Sequence, residues 1–279
     1  MQKRFIIILI FIMLAACGKS EKENCPNLVI AARKGEFRTV KKLIQNGCNA
    51  DSKDEYGDNA LYAAVGSGHI ELVTLLIGKG AEFYAESGMR ELMLAAKEGY
   101  PEIVKLLIKK GANVNSRDKY GDTPLIEAAD KGNDKVASQL IAMGADVDQR
   151  GNGGHTALTL AAAGGFSEVI KVLIAKGANL TIKNERGNTA VIEAAYNGQA
   201  EVTELLLKSG AEVDEINNEG ITALIEAARG GHTAAVKVLI KYKADIKIKG
   251  TYGGTAISEA ESHGYDYIVM LLKSIQMDQ

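Results

Sequence analysis

Glycine returns along this chain at a fixed interval. One register holds Gly57, Gly88, Gly121, Gly154, Gly187, Gly220 and Gly253, spaced by 31 residues once and then by 33 five times. A second register holds Gly35, Gly68, Gly99, Gly132, Gly165, Gly198, Gly231 and Gly264. A third opens a Gly-Ala pair at Gly80, Gly111, Gly144, Gly177 and Gly210. Three registers sharing one period specify an array of like units, each able to bury its apolar face only against a neighbour.

One unit can be read residue by residue. Thr123 is placed to cap a helix whose first turn holds Pro124, where a missing N–H does no harm. Ala128 and Ala129 keep that helix thin, so the next unit can approach closely. Gly132 ends it as a left-handed stop. Val136, Leu140 and Ile141 then recur at helical spacing and predict a second helix, which Gly144 ends. Ala145-Asp146-Val147-Asp148 extends towards the next turn glycine. The first and last units are degenerate, as terminal units of an array should be.

A unit of this length reading G-x-T-P-L, then A-A, a central Gly, V-x-x-L-I and G-A-x-V resembles the ankyrin repeat. The fullest match is Gly121-Asp122-Thr123-Pro124-Leu125. The resemblance implies an all-α ankyrin-repeat solenoid over residues 26–279, of about eight helix-turn-helix units with projecting β-turn fingers. Two departures stand out. The histidine that the family carries after this Leu is replaced by Tyr62, Met93, Ile126, Thr159, Ile192, Ile225 and Ser258, mostly apolar packing in place of a polar bridge. The finger between Gly80 and Gly88 is two residues shorter than its neighbours and brings Phe83 and Tyr84 together.

The N-terminus is of a different kind. MQKR is followed by the apolar run FIIILIFIML and then by Ala15-Ala16-Cys17. A cationic start, an apolar stretch too short to span a bilayer and small residues before a Cys read as a cleaved targeting segment, residues 1–16. Leu14-Ala15-Ala16-Cys17 resembles the lipobox of bacterial lipoproteins. That resemblance implies acylation of Cys17, a short tether over residues 17–25, and a cell-envelope location. By the same resemblance, Gly18 in place of Asp implies the periplasmic side of the outer membrane. More than one acyl chain on Cys17 suffices for stable anchoring. Without the leader the chain carries 31 Lys+Arg against 35 Asp+Glu, a net charge of −4, which argues against a nucleic-acid partner.

No catalytic constellation is legible. His69 and His232 follow the second-register glycine, a structural place in ankyrin repeats, and His155 and His263 stand alone. No CxxC, HExxH or glycine-rich phosphate loop occurs, so the reading assigns no enzyme, no metal and no cofactor beyond the lipid on Cys17. The remaining cysteines, Cys25 and Cys48, flank the first helix pair. Helices of a pair run antiparallel, so the two stand at one end and can reach disulfide distance. The alternative is two thiols, with Cys48 as a small residue in the Ala slot.

The resemblance places partner contacts on the finger tips and first helices. Family-equivalent positions here are Tyr56, Asp58, Arg117, Lys119, Tyr120, Arg150, Arg186, Tyr196, Arg229 and Tyr252, types enriched at interface hot spots or ordinary solvated tips. Glu127, Leu160, Glu193, Glu226 and Glu259 share one slot and predict a carboxylate ladder along one face. It either attracts a basic partner or is neutralised internally, since Arg229 reaches Glu226 at three residues' spacing. The expected function is a monomeric, lipid-anchored protein-binding module, an inhibitor or immunity-type protein that sequesters a toxin or enzyme. The alternative is a scaffold for envelope or stress-protective enzymes.

Overall fold

The computed structural model describes residues 25–82 and 88–277. The leader, Cys17, the tether before Cys25 and the Phe83–Tyr84 pair lie outside them. The chain divides into two compact units, residues 1–83 and 84–279. Sixteen α-helices form among the described residues, with no strand beyond an isolated bridge between Lys53 and Asn59.

The first unit holds two helix pairs: α1 (Pro26–Arg33) with α2 (Phe37–Gln45), and α3 (Ala60–Gly66) with α4 (Ile70–Gly78). The second holds six. They are α5 (Gly88–Glu98) with α6 (Pro101–Lys109), α7 (Pro124–Asp130) with α8 (Asp134–Ala142), and α9 (Ala157–Gly164) with α10 (Ser167–Ala175). Then follow α11 (Ala190–Tyr196) with α12 (Ala200–Lys208), α13 (Ala223–Arg229) with α14 (Thr233–Lys241), and α15 (Ala256–Ser262) with α16 (Asp266–Met277). Within each unit, first helices pack on first helices and second on second, the ladder that the period predicts.

The local chemistry follows the motif. In α7, Thr123 Oγ1 accepts from Ile126 N at 3.3 Å, with Pro124 in the first turn. Asn59, Thr189 and Thr222 cap their helices the same way. Thr156 and Thr255 form reciprocal caps with Thr159 and Ser258, which occupy the slot of the family's histidine. In three other units that slot is filled by Ile126, Ile192 and Ile225, all buried. The Ala pairs are buried throughout. In α8 the core takes Val136, Ala137 and Leu140, whereas Ile141 stays half-exposed.

Gly35, Gly99, Gly132, Gly165, Gly198 and Gly231 are each approached closely by a side chain of the following repeat. Gly198 has φ +69°, and a Cβ there would meet His232 Nδ1 at 2.6 Å. His232 Nε2–H in turn donates to the Tyr196 carbonyl at 2.9 Å, satisfying an orphan acceptor at the end of α11. Asn133 donates to the Ala96 and Lys97 carbonyls, Gln199 to Ala163, and His69 Nε2 lies 3.3 Å from the Arg33 carbonyl. One slot thus ties neighbours together through three residue types.

At the first helix pair, Cys25 and Cys48 are joined in a disulfide with Cα atoms 5.7 Å apart. Cys25 N also donates to Ser52 Oγ at 2.9 Å. At the other end, α16 buries Ile268 and Leu272 but leaves Tyr267, Met270 and Met277 exposed, so its outer side is less polar than a solvent-facing cap requires. No helix among the described residues is long and apolar enough to cross a membrane.

Candidate functional site

Four of the fingers, those of Gly57, Gly121, Gly187 and Gly220, are built by an Asp or Asn three positions before the turn glycine. Asp54 Oδ1 accepts from the backbone N–H of Tyr56 and of Asp58, both at 3.0 Å. Asp118 does the same for Tyr120 and Asp122 at 2.8 and 2.9 Å. Asn184 and Asn217 repeat the device for Arg186 and Asn188, and for Glu219 and Ile221. Asx side chains that bond their own backbone in this way close turns. The tip residue is thereby pushed outward at Tyr56 and Tyr120, 75% and 60% exposed, while Tyr252, 91% exposed, sits on a finger closed by backbone bonds of Gly250. Lys119 Nζ stands 4.7 Å from the Tyr120 ring centroid. The Asp/Asn at this fixed offset is visible in the sequence, and the reading above did not use it.

Neighbouring fingers of the second unit are stitched together. Asn152 N donates to Asp122 Oδ1 at 2.8 Å and Arg117 Nη2 to the Arg150 carbonyl at 3.0 Å. Glu185 N donates to Gly153 O, Asn218 N to Arg186 O and Thr251 N to Glu219 O. Tip side chains therefore project from a braced edge with fixed spacing.

The expected carboxylate ladder is not an exposed strip. Glu193 and Glu226 are each 7% exposed. Asn184 Nδ2 and Asn188 Nδ2 donate to Glu193 Oε1 at 2.7 and 2.9 Å, and Asn217 Nδ2 donates on to Asn188 Oδ1 at 3.0 Å. Arg229 bridges Glu226 and Glu259, at 3.5 and 3.0 Å. A buried carboxylate is costly unless hydrogen-bonded or paired, and both solutions are internal here. Burial holds the Glu226 carboxyl above its usual range, with Arg229 opposing that shift. Glu193 and Glu226 are thus core-facing anchors of the first helices, while Arg229 and Glu259 are half-buried partners of that pair. Tyr196, one turn after Glu193, is exposed.

Glu127 differs from the other glutamates of its slot. It is half-buried, and its carboxylate makes no hydrogen bond or ion pair among the described residues. Burial raises its pKa, the Asp122, Asp130 and Asp118 carboxylates raise it further, and Lys97 opposes them. One carboxylate oxygen each from Asp118, Asp122 and Glu127 lie within 4.8 Å of one another. Beside them a hollow of about 220 Å³ is lined by Asp122, Ile126, Glu127, Asp130, Asn152, His155 and Leu160. A second, of about 340 Å³, shares Asn152 and His155 and continues to Glu185, Arg186 and Glu193.

The histidines serve packing geometry. His155 Nδ1 is 3.3 Å from Thr159 Oγ1, and its Nε2 faces Asn184 Nδ2 at 3.5 Å. His263 Nδ1 lies 2.9 Å from Ser262 Oγ and from the Glu259 carbonyl, and its ring stacks on Tyr265. No carboxylate hydrogen-bonds either ring among the described residues.

Comparison with known families matches this chain to a model of ankyrin repeats taken three copies at a time. The match falls over residues 7–87, 28–118, 86–151, 125–217 and 191–279. A stretch of 60 residues, 22% of this chain, is 38% identical to the transient receptor potential cation channel subfamily A member 1 homolog of Caenorhabditis elegans. That stretch spans 5% of the channel protein.

Proposed function

The chain belongs to the ankyrin-repeat family, and from that premise we propose that it is a lipid-anchored protein-binding module of the cell envelope. Ankyrin repeats are protein-interaction modules. The observation that carries the reading here is the set of exposed tyrosines at the finger tips, Tyr56, Tyr120 and Tyr252, with Tyr196 on a first helix. Exposed tyrosine supplies contact area and a hydrogen-bonding tip at low entropic cost, and it is a favoured hot-spot type. In the second unit the braced finger edge pre-organises those tips, which reduces the ordering cost of binding.

The lipobox-like Leu14-Ala15-Ala16-Cys17 supports delivery to the envelope and anchoring through an acylated Cys17, at the periplasmic side of the outer membrane. A tethered binder with no catalytic constellation among its described residues suits sequestration. Its task is to hold a toxin or enzyme inactive in the manner of an inhibitor or immunity protein.

Site-specific photo-cross-linking tests the reading. A cross-linking residue at position 120 or 252 is expected to trap a discrete envelope protein, while one at Glu168 on the second-helix side traps none. Equal trapping from Glu168 removes the tip face from the account. Cys17→Ser is expected to release the chain from membranes or arrest its processing. Unchanged membrane fractionation with an unchanged mature mass refutes the anchor.

A further inference from the structure

The repeats can be compared with one another, register by register. Position 127 of one unit corresponds to 226 of another, and 130 corresponds to 229. Around Glu226, the side chain three residues on is Arg229, whose guanidinium bridges Glu226 and Glu259. The space beside it, lined by Glu219, Ile225, Arg229, Tyr252 and Glu259 among others, is reduced to about 50 Å³. Around Glu127 the same register carries Asp130, so a carboxylate stands where the guanidinium stands elsewhere. The corresponding hollow is open at about 220 Å³. Its carboxylates, Asp122, Glu127 and Asp130, have no internal guanidinium between them. Arg117, the nearest arginine along the chain, is spent on the Gly121 and Arg150 carbonyls. Lys131 pairs with Asp130 at 2.7 Å, while Glu127 feels the charge of Lys97 but makes no ion pair among the described residues. Leu160 occupies the slot of Glu259 and lines the hollow with an apolar wall.

We propose that this hollow receives an arginine side chain of the partner protein, doing between units what Arg229 does within the chain. Three features choose arginine. A planar fork satisfies two carboxylates at once, which a point-charge ammonium does less well. The methylene stem gains an apolar wall from Leu160 and Ile126. In the equivalent register of this same chain a guanidinium, that of Arg229, stands at this position beside a hollow of only about 50 Å³. The inference rests on the protein-binding reading above and adds the chemistry of one contact. It also moves the acidic recognition element away from Glu193 and Glu226, which are internally satisfied, to Glu127 and Asp130.

The test uses the full purified chain, isotopically labelled, with the side-chain carboxyl signals of Asp and Glu followed by NMR. N-acetyl-arginine amide is the probe, with N-acetyl-norleucine amide and calcium chloride at matched ionic strength as comparisons. Saturable shifts confined to Asp122, Glu127 and Asp130, seen with the arginine amide alone, are the expected result. They should vanish in Asp130→Arg, whose own guanidinium closes the hollow, and weaken at least several-fold in Glu127→Gln, which keeps the shape. Shifts produced equally by norleucine amide or by calcium, shifts spread over all surface carboxylates, or none at all overturn the proposal. Because this titration needs no partner, its failure leaves the tip cross-links to stand or fall alone. Conversely, absent cross-links remove the partner without touching the titration.

Discussion

Gly198→Ala is a sharp perturbation of the interlock between units. Gly198 adopts φ +69°, a left-handed conformation that costs an L residue about 1–2 kcal/mol. The new methyl would also lie 2.6 Å from His232 Nδ1 and 2.9 Å from its ring base, so the imidazole must move. Moving it breaks the 2.9 Å bond to the Tyr196 carbonyl, which contributes about 0.5–1.5 kcal/mol. Gly210→Ala is the control, because Gly210 has φ +96° with nothing within 4 Å of its would-be Cβ. Both substitutions stiffen the unfolded chain alike, so that effect cancels in the difference. Gly198→Ala should therefore cost about 1 kcal/mol more than Gly210→Ala, a gap of about 2–4 °C in Tm for a unit of this size. Urea and thermal melts followed by far-UV circular dichroism measure it. In a His232→Ala background the extra cost should disappear. Equal costs at positions 198 and 210, or an extra cost that persists without His232, would refute the interlock.

Three further outcomes follow from the structure. Replacing Cys25 and Cys48 by Ser opens a loop whose closure is worth on the order of 3 kcal/mol, so amide exchange over α1 and α2 should accelerate sharply while α9–α12 hold their protection; unchanged exchange there, or two free thiols labelled without reductant, contradicts the bridge. Lys243 has φ +64° in the slot that other units give to glycine, and Lys243→Gly should raise the unfolding free energy read from urea melts by about 0.5–1 kcal/mol, left-handed relief net of glycine's entropy; a fall contradicts it. Glu91 is buried, and burial raises its pKa while Arg90 opposes the shift, so its protonated form suits the fold. Stability from this group is complete below the ordinary carboxylate range and is lost as pH rises through the raised value. Glu91→Gln should accordingly stabilise at neutral pH and lose its advantage on acidification, read as midpoint against pH; an advantage that grows in acid contradicts the assignment.

The sequence exposes the array because its signals are local. A threonine cap, an alanine pair and a left-handed glycine each act within one unit and recur in register. Side chains that act across units are harder to read. The slot after the second-register glycine holds His69, Asn133, Gln199 and His232, and only the packed register shows that all four reach back to carbonyls of the previous first helix. The glutamate slot was legible as a pattern, but not as an environment. Whether a glutamate there is buried depends on what comes three residues later and in the finger that leads into its helix. Asn184 and Asn188 absorb Glu193, Arg229 absorbs Glu226, and Asp130 leaves Glu127 open. The tip tyrosines were legible as candidates, while the Asp turns that push Tyr56 and Tyr120 outward came from the structure.

The central claim is that the finger tips bind a protein partner. Its most direct test is the affinity of the cross-linked partner, once purified, for Tyr120→Ala/Tyr252→Ala against Glu168→Ala/Lys171→Ala on the second-helix side. If the tips carry hot spots, the first pair should weaken binding by about 30-fold or more and the second by less than about twofold. A partner that binds the tip variant with undiminished affinity, or that loses affinity only with the second-helix variant, would contradict the account.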